Sequence, residues 1–375
     1  MPAKTMPATD AALLDALARV IDPEIRRPIT ELDMIGAVTV TDGVASVDIK
    51  LTIVGCPAAH RIEADVRAAA LSVDGVSAVE LHVGVMTTAE RNALTLKLRG
   101  GRARGTQFGP DSLTRIYAIT SGKGGVGKSS VTANLGVALA ARGLRVGILD
   151  ADVFGFSIPG LLGISGTKPT RVGDMIMPPI AAEATGAVKV ISIGMFVEAG
   201  TAVSWRGPML HRTIQQFLGD VHFGDLDVLL LDLPPGTGDV AISIGQLLPQ
   251  AEVIVVTTPQ PAAAEVAERS AVVARQTGQK VIGVIENMAG FAQPDGSIVR
   301  LFGEGGGAAV AGRLGVELLG SVPLSVGLRE GGDAGLPVVL AHPTDPAAVA
   351  LEAIAAQLAA RPRGLAGKPL GLSVT

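Results

Sequence analysis

Residues 122–130 read Gly122-Lys123-Gly124-Gly125-Val126-Gly127-Lys128-Ser129-Ser130, directly after an apolar run at 116–120 and at the start of a helix-compatible stretch over 127–142. A glycine-rich string between a strand and a helix is a phosphate cradle. Glycines let successive backbone N–H groups turn inward, and the helix N-terminus adds a positive dipole. Lys128 supplies a point charge for the β- and γ-phosphates of ATP, and the Ser129 hydroxyl suits Mg2+. Such a loop works only where a buried strand delivers it to a helix, so it commits the chain around it to an α/β layer structure.

The rest of the pattern agrees. Short continuous apolar runs recur at 116–120, 145–149, 188–193, 228–233, 253–257, 281–285 and 318–322. Helical stretches fall at 127–142, 240–248, 262–277 and 306–315, with a last one at 344–360. Alternation of this kind predicts a mostly parallel sheet flanked by helices, an α/β P-loop NTPase domain over 112–360. Ahead of it, a helix at 9–20, strands at 35–41 and 45–52 joined by Asp42-Gly43, a helix at 55–70 and a strand at 78–85 predict a small α+β domain over 1–100. The Gly- and Pro-rich stretch 101–111 reads as a linker, and 361–375 as a disordered tail.

Composition removes several function classes. The net charge is −4 and the pI about 5.8, which supplies no basic field for nucleic acid. Mean hydropathy is +0.44, but charged, Pro and Gly residues interrupt every apolar run before the roughly 18 residues that a membrane span needs. The first ten residues carry no apolar segment of signal-peptide length, so the expected location is the cytoplasm. One cysteine, Cys56, excludes an intrachain disulfide.

Carboxylates stand where a strand end meets the ligand crevice of such a sheet. Asp150 and Asp152 follow the run at 145–149, and Asp232 closes the run at 228–233. Asp232 can order the water shell of Mg2+, and the backbone N–H of Gly236 can sense a γ-phosphate. Asp239 reads instead as an N-cap of the next helix.

The second lysine, Lys123, makes the loop a deviant one that resembles the MinD/ParA/Mrp class of ATPases. In that class this lysine reaches the partner's nucleotide across a dimer, so the resemblance implies a homodimer closed around ATP. It also implies that Asp152 orients the attacking water, that Asp150 supports Mg2+ or the loop, and that Asn287 reads adenine. Trp205-Arg206-Gly207-Pro208-Met209, Asp232-Leu233-Pro234-Pro235-Gly236-Thr237-Gly238-Asp239, Thr257-Thr258-Pro259-Gln260, Glu286-Asn287-Met288, Phe302-Gly303-Glu304-Gly305-Gly306-Gly307 and Arg329-Glu330-Gly331-Gly332-Asp333 narrow the resemblance. Together they resemble the Mrp (ApbC-type) iron–sulfur carrier ATPases. The N-terminal region, with Asp22-Pro23-Glu24 and Thr52-Ile53-Val54-Gly55-Cys56-Pro57, is similar to SufT/PaaD-like domains. The function so implied is ATP-dependent carriage of iron–sulfur clusters to apoproteins or an assembly scaffold, with no nucleic acid or membrane partner. The alternative is a MinD/ParA-like dimerisation switch that recruits a protein partner.

One departure from the resemblance stands out. Relatives of this branch carry a Cys-x-x-Cys after the Asn-Met segment, with which two chains ligate a [4Fe–4S] cluster; here Gln293 and Gly296 occupy those positions. Neither residue offers a thiolate. Cys56 is the remaining thiol for iron. Pro57 suits a first helical position, which would put Cys56 at a helix N-terminus where thiolate is favoured, with His60 one turn on; against a two-ligand site there, base rates favour a small buried cysteine beside a surface histidine.

Overall fold

The computed structural model describes residues 10–100, 107–109, 112–153, 155–182, 186–197, 207–293, 295, 297 and 298–361. Most of the expected linker, the tail beyond Arg361, Trp205, Arg206 and Gly296 lie outside the described residues. The chain divides into two compact units: Met1–Ala103 with Thr170–Met177, and Arg104–Pro169 with Pro178–Thr375.

The first unit runs α1 (Asp10–Leu17), β1 (Ile35–Thr41), β2 (Val44–Leu51), α2 (Ala59–Leu71), β3 (Ala78–Val85) and α3 (Thr88–Arg99). Its sheet has the order β1-β2-β3, with β1 and β2 antiparallel through the Asp42-Gly43 turn and β2 and β3 parallel. Alternate residues of β2, among them Val47 and Ile49, are buried against Leu13, Leu17, Ile62 and Val66 of the helices. The α3 helix, absent from the sequence expectation, is started by a reciprocal cap between Thr87 and Glu90 and stopped by left-handed Gly100.

In the second unit β4 (Arg115–Ser121), α4 (Lys128–Ala141), β5 (Val146–Asp150) and α5 (Ile158–Leu161) come first. The chain then crosses to the first unit as a hairpin, β6 (Thr170–Val172) and β7 (Met175–Met177). Division by sequence position alone assigns this hairpin to the ATPase domain. Its apolar residues decide otherwise: Val172 and Met177 lie in the first unit's core, and Arg99 pairs with Asp174 at 2.8 Å.

The second unit continues with β8 (Ile180–Ala181), β9 (Val188–Ser192), α6 (Gly207–Asp220), β10 (Val228–Asp232), α7 (Asp239–Leu247), β11 (Glu252–Thr257), α8 (Pro261–Gln276), β12 (Lys280–Ala292), β13 (Ile298–Val299), α9 (Gly306–Leu314), β14 (Glu317–Leu324), α10 (Val326–Ala334), α11 (Val338–Ala341) and α12 (Pro346–Ala360). The sheet order is β13-β12-β11-β4-β10-β5-β9-β8, with β14 also on β12. The central pairings are parallel, as the apolar runs require, and β5 and β10 are buried at every residue. Helix α4 is buried nearly all round from Val131 to Ala140 because it is covered twice, by the sheet through Ile148 and Leu230 and by Leu351, Ile354 and Leu358 of α12. Strand β12 outruns its apolar stretch by seven residues because, after an irregularity between Asn287 and Phe291, it turns back to pair with β13. No helix among the described residues is long and apolar enough to cross a membrane.

Candidate functional site

Parallel register sets the site. Asp232 lies level with Ile119 of β4 and with Asp150 of β5, so the phosphate loop and both carboxylates emerge at one edge of the sheet. The loop then packs so closely that glycine is required. A Cβ on Gly122 would run into the backbone of Val266 and Ala267 in α8. Gly127, at φ 77°, caps α4 in a left-handed conformation.

Asp232 is fully buried and fully engaged. Its Oδ2 accepts from Ser129 Oγ at 2.6 Å and lies 2.7 Å from Lys128 Nζ, while Oδ1 accepts from Thr132 Oγ1 at 2.8 Å. All three donors come from the first two turns of α4. The structure thus brings Lys128, Ser129 and Asp232 together and adds Thr132. The signal for Thr132 was spacing: it lies four residues after Lys128 and three after Ser129, on one helix face.

Asp150, also fully buried, accepts from the backbone N of Asp152 at 3.1 Å and of Ile158 at 3.3 Å, and from Ser192 Oγ at 3.0 Å. It ties the loop after β5 to the end of β9. Burial, and then the like charge of Asp232, push its carboxyl up to about 7. Of the two roles the resemblance implied for Asp150, these contacts serve the loop. Asp152 is nearly buried and accepts from Gly155 N at 3.0 Å. Asp239 is not the N-cap; Gly238 holds that position, and Asp239 falls in the first turn of α7, where its charge still suits the helix dipole.

Other expected residues have partners of their own. Gly236 N donates to Ser121 O at 2.8 Å, so the N–H expected to meet a γ-phosphate is held by the end of β4 in this form. Lys123 Nζ donates to Gln260 Oε1 at 2.9 Å, just before α8. In the sequence Gln260 is only the last residue of Thr257-Thr258-Pro259-Gln260. Ser130 O accepts from Asn134 Nδ2, and Asn287 Nδ2 donates to Val126 O at 2.9 Å. Gly124 and Gly125 are the exposed residues of the loop.

In the first unit, Cys56 is buried and unbridged. Helix α2 begins at Ala59 with Ala58 as its cap, so Cys56 and Pro57 precede it, contrary to the sequence expectation. Burial raises the thiol's pKa, backbone hydrogen bonds from Ala58 and Ala59 work the other way, and the carboxylates of Glu24 and Asp22 add to the rise. The thiolate is therefore disfavoured, and Cys56 is the small buried cysteine that the sequence favours over a two-ligand site. His60 is exposed. Gln293, one of the two residues in the thiol positions, pairs through its backbone N with Ser297 O at 2.8 Å. Among the described residues no group of three or more His, Cys, Asp or Glu is placed to hold a metal.

Comparison with known proteins gives a consistent picture. The sequence profile described as NUBPL iron-transfer P-loop NTPase matches residues 112–359, and that of an iron–sulfur cluster assembly protein matches 10–81. An iron–sulfur cluster carrier protein of Mycobacterium bovis is 54% identical over 98% of this chain and 97% of its own length. A nucleotide-binding protein of Archaeoglobus fulgidus, solved in complex with ADP, is 39% identical over 59% of this chain and 86% of its own, with a TM-score of 0.52. The cell division ATPase MinD of Pyrococcus furiosus is 26% identical over 65% of this chain and 98% of its own, with a TM-score of 0.50. The chain thus belongs to the iron-transfer P-loop NTPases, with an iron–sulfur assembly domain ahead of the P-loop one.

Proposed function

We propose that this chain hydrolyses ATP and, as a homodimer in the cytoplasm, carries iron–sulfur clusters to apoproteins or an assembly scaffold. The observation that carries the nucleotide half is the junction at Asp232, where Lys128, Ser129 and Thr132 meet one buried carboxylate. Each of these contacts can be exchanged for a ligand. An arriving phosphate competes for Lys128, and Ser129 and Asp232 offer the hard oxygens that Mg2+ prefers. Bound there, Mg2+ would neutralise charge developing on the phosphoryl oxygens. Asp152 orients the attacking water, and Lys123 from a second copy adds a cation to the transition state, so that turnover depends on dimer formation.

The cluster is cargo. Family membership and the assembly domain support carriage, while Gln293 and Gly296 supply no thiolate, so the remaining protein thiol is Cys56 and further ligands come from a client or scaffold. The test is MgATP turnover, and cluster transfer to an apo acceptor with and without nucleotide, for wild type and Lys128→Ala. Loss of turnover by roughly a hundredfold or more in the variant is expected from removing one charge at the phosphoryl group. Equal turnover in the two purified proteins would refute the assignment.

A further inference from the structure

Asn287 lies where the regular part of β12 ends, 3% exposed, and its Nδ2 reaches across to the phosphate loop to donate to Val126 O at 2.9 Å. A backbone carbonyl can only accept, so this contact fixes which end of the carboxamide faces the loop. Two features show that the approach is built in. A Cβ on Gly127 would collide with Asn287 Nδ2, so the contact exists only because residue 127 is glycine. The next residue, Met288, holds φ 60°, a left-handed conformation that a side-chain-bearing residue adopts only when its surroundings impose it, and its Cε comes within 3.7 Å of that same Cβ position.

What the contact does follows from the planar trans peptide. Val126 C=O and Gly127 N–H belong to one rigid unit and point in opposite directions. Pinning the carbonyl on the β12 side therefore aims the Gly127 N–H the other way, into the cradle where the loop's N–H groups receive phosphate oxygens. We propose that Asn287 is a positioning residue for the triphosphate: it sets the Val126–Gly127 peptide, and its effect on binding does not depend on the base. This deepens the nucleotide reading above and rests on it.

The test is Asn287→Asp, which replaces the donor by a second acceptor facing Val126 O while keeping an oxygen for the amino group of adenine. Affinities for MgATP, MgGTP and Mg-tripolyphosphate are measured by competition against a fluorescent ATP analogue on the full chain. All three should weaken by about tenfold or more, with the ATP-to-GTP ratio within about twofold of wild type. Loss confined to ATP, with tripolyphosphate unaffected, overturns the proposal in favour of base reading, and so does no loss at all. A cycle with Gly127→Ala supplies a second readout. Asn287→Ala vacates the space a Cβ needs, so Gly127→Ala should cost at least about fivefold less affinity in that background than in wild type. Additive losses overturn the proposal. Wild-type protein that binds none of the three ligands overturns the nucleotide reading itself, a result distinct from any of these.

Discussion

Lys123 Nζ is held by Gln260 Oε1 of its own chain at 2.9 Å. A lysine that works on a second chain's nucleotide must first leave this partner, so in the proposed homodimer the hydrogen bond opposes assembly. Gln260→Glu turns a neutral acceptor into an anion and strengthens the hold. Turnover per chain should fall several-fold, and sedimentation with a slowly hydrolysed analogue should show dimer only at higher protein concentration. Gln260→Ala should shift the dimer the other way. Unchanged assembly in the glutamate variant would count against a role for Lys123 in trans.

Thr132 gives Asp232 Oδ1 its 2.8 Å hydrogen bond. Thr132→Val keeps the shape and leaves a buried acceptor short of a donor, which should cost about 1 to 3 kcal/mol of stability. If Asp232 orders the waters of Mg2+ as proposed, the Mg2+ concentration for half-maximal turnover should rise, because that carboxylate is less well aimed. A magnesium titration that superimposes on wild type would show that Thr132 is only a core residue.

These two residues mark how far the sequence was legible. Strand–loop–helix order and the carboxylates at strand ends could be read directly, since apolar runs and glycine spacing report backbone conformation. Partners brought from distant elements could not: Gln260 meets Lys123 across 137 positions and Asn287 meets Val126 across 161. The hairpin of β6 and β7 is illegible for a similar reason. Three-residue strands carry no periodicity, and only the burial of Val172 and Met177 shows which core they serve. Cys56-Pro57 looked like a helix start, but the helix begins two residues after Pro57 and the thiol is buried.

In the first unit, the Lys50 ammonium, followed by the backbone and hydroxyl of Thr87, holds the Glu90 carboxyl down at about 2, from an ordinary 4.5. A carboxyl with a depressed folded-state value stabilises fully above its unfolded value and loses that effect as pH falls through the folded one. The gap in unfolding midpoint between wild type and Glu90→Gln should therefore hold steady above about pH 5, narrow below about 4.5 and close near about 2. A gap that widens on acidification contradicts the pairing.

Carriage of a cluster by a chain with one cysteine is the central claim, and anaerobic reconstitution with iron and sulfide tests it most directly. Iron and sulfide per dimer are counted before and after a chelator, for wild type and Cys56→Ser, with and without an apo acceptor. Thiolates are the ordinary ligands of such clusters, and two chains offer two where four are expected, so the cluster should be substoichiometric, lost quickly to chelator, absent from Cys56→Ser and retained better when an acceptor supplies thiols. A full, chelator-resistant cluster per dimer that survives Cys56→Ser without an acceptor would contradict the account.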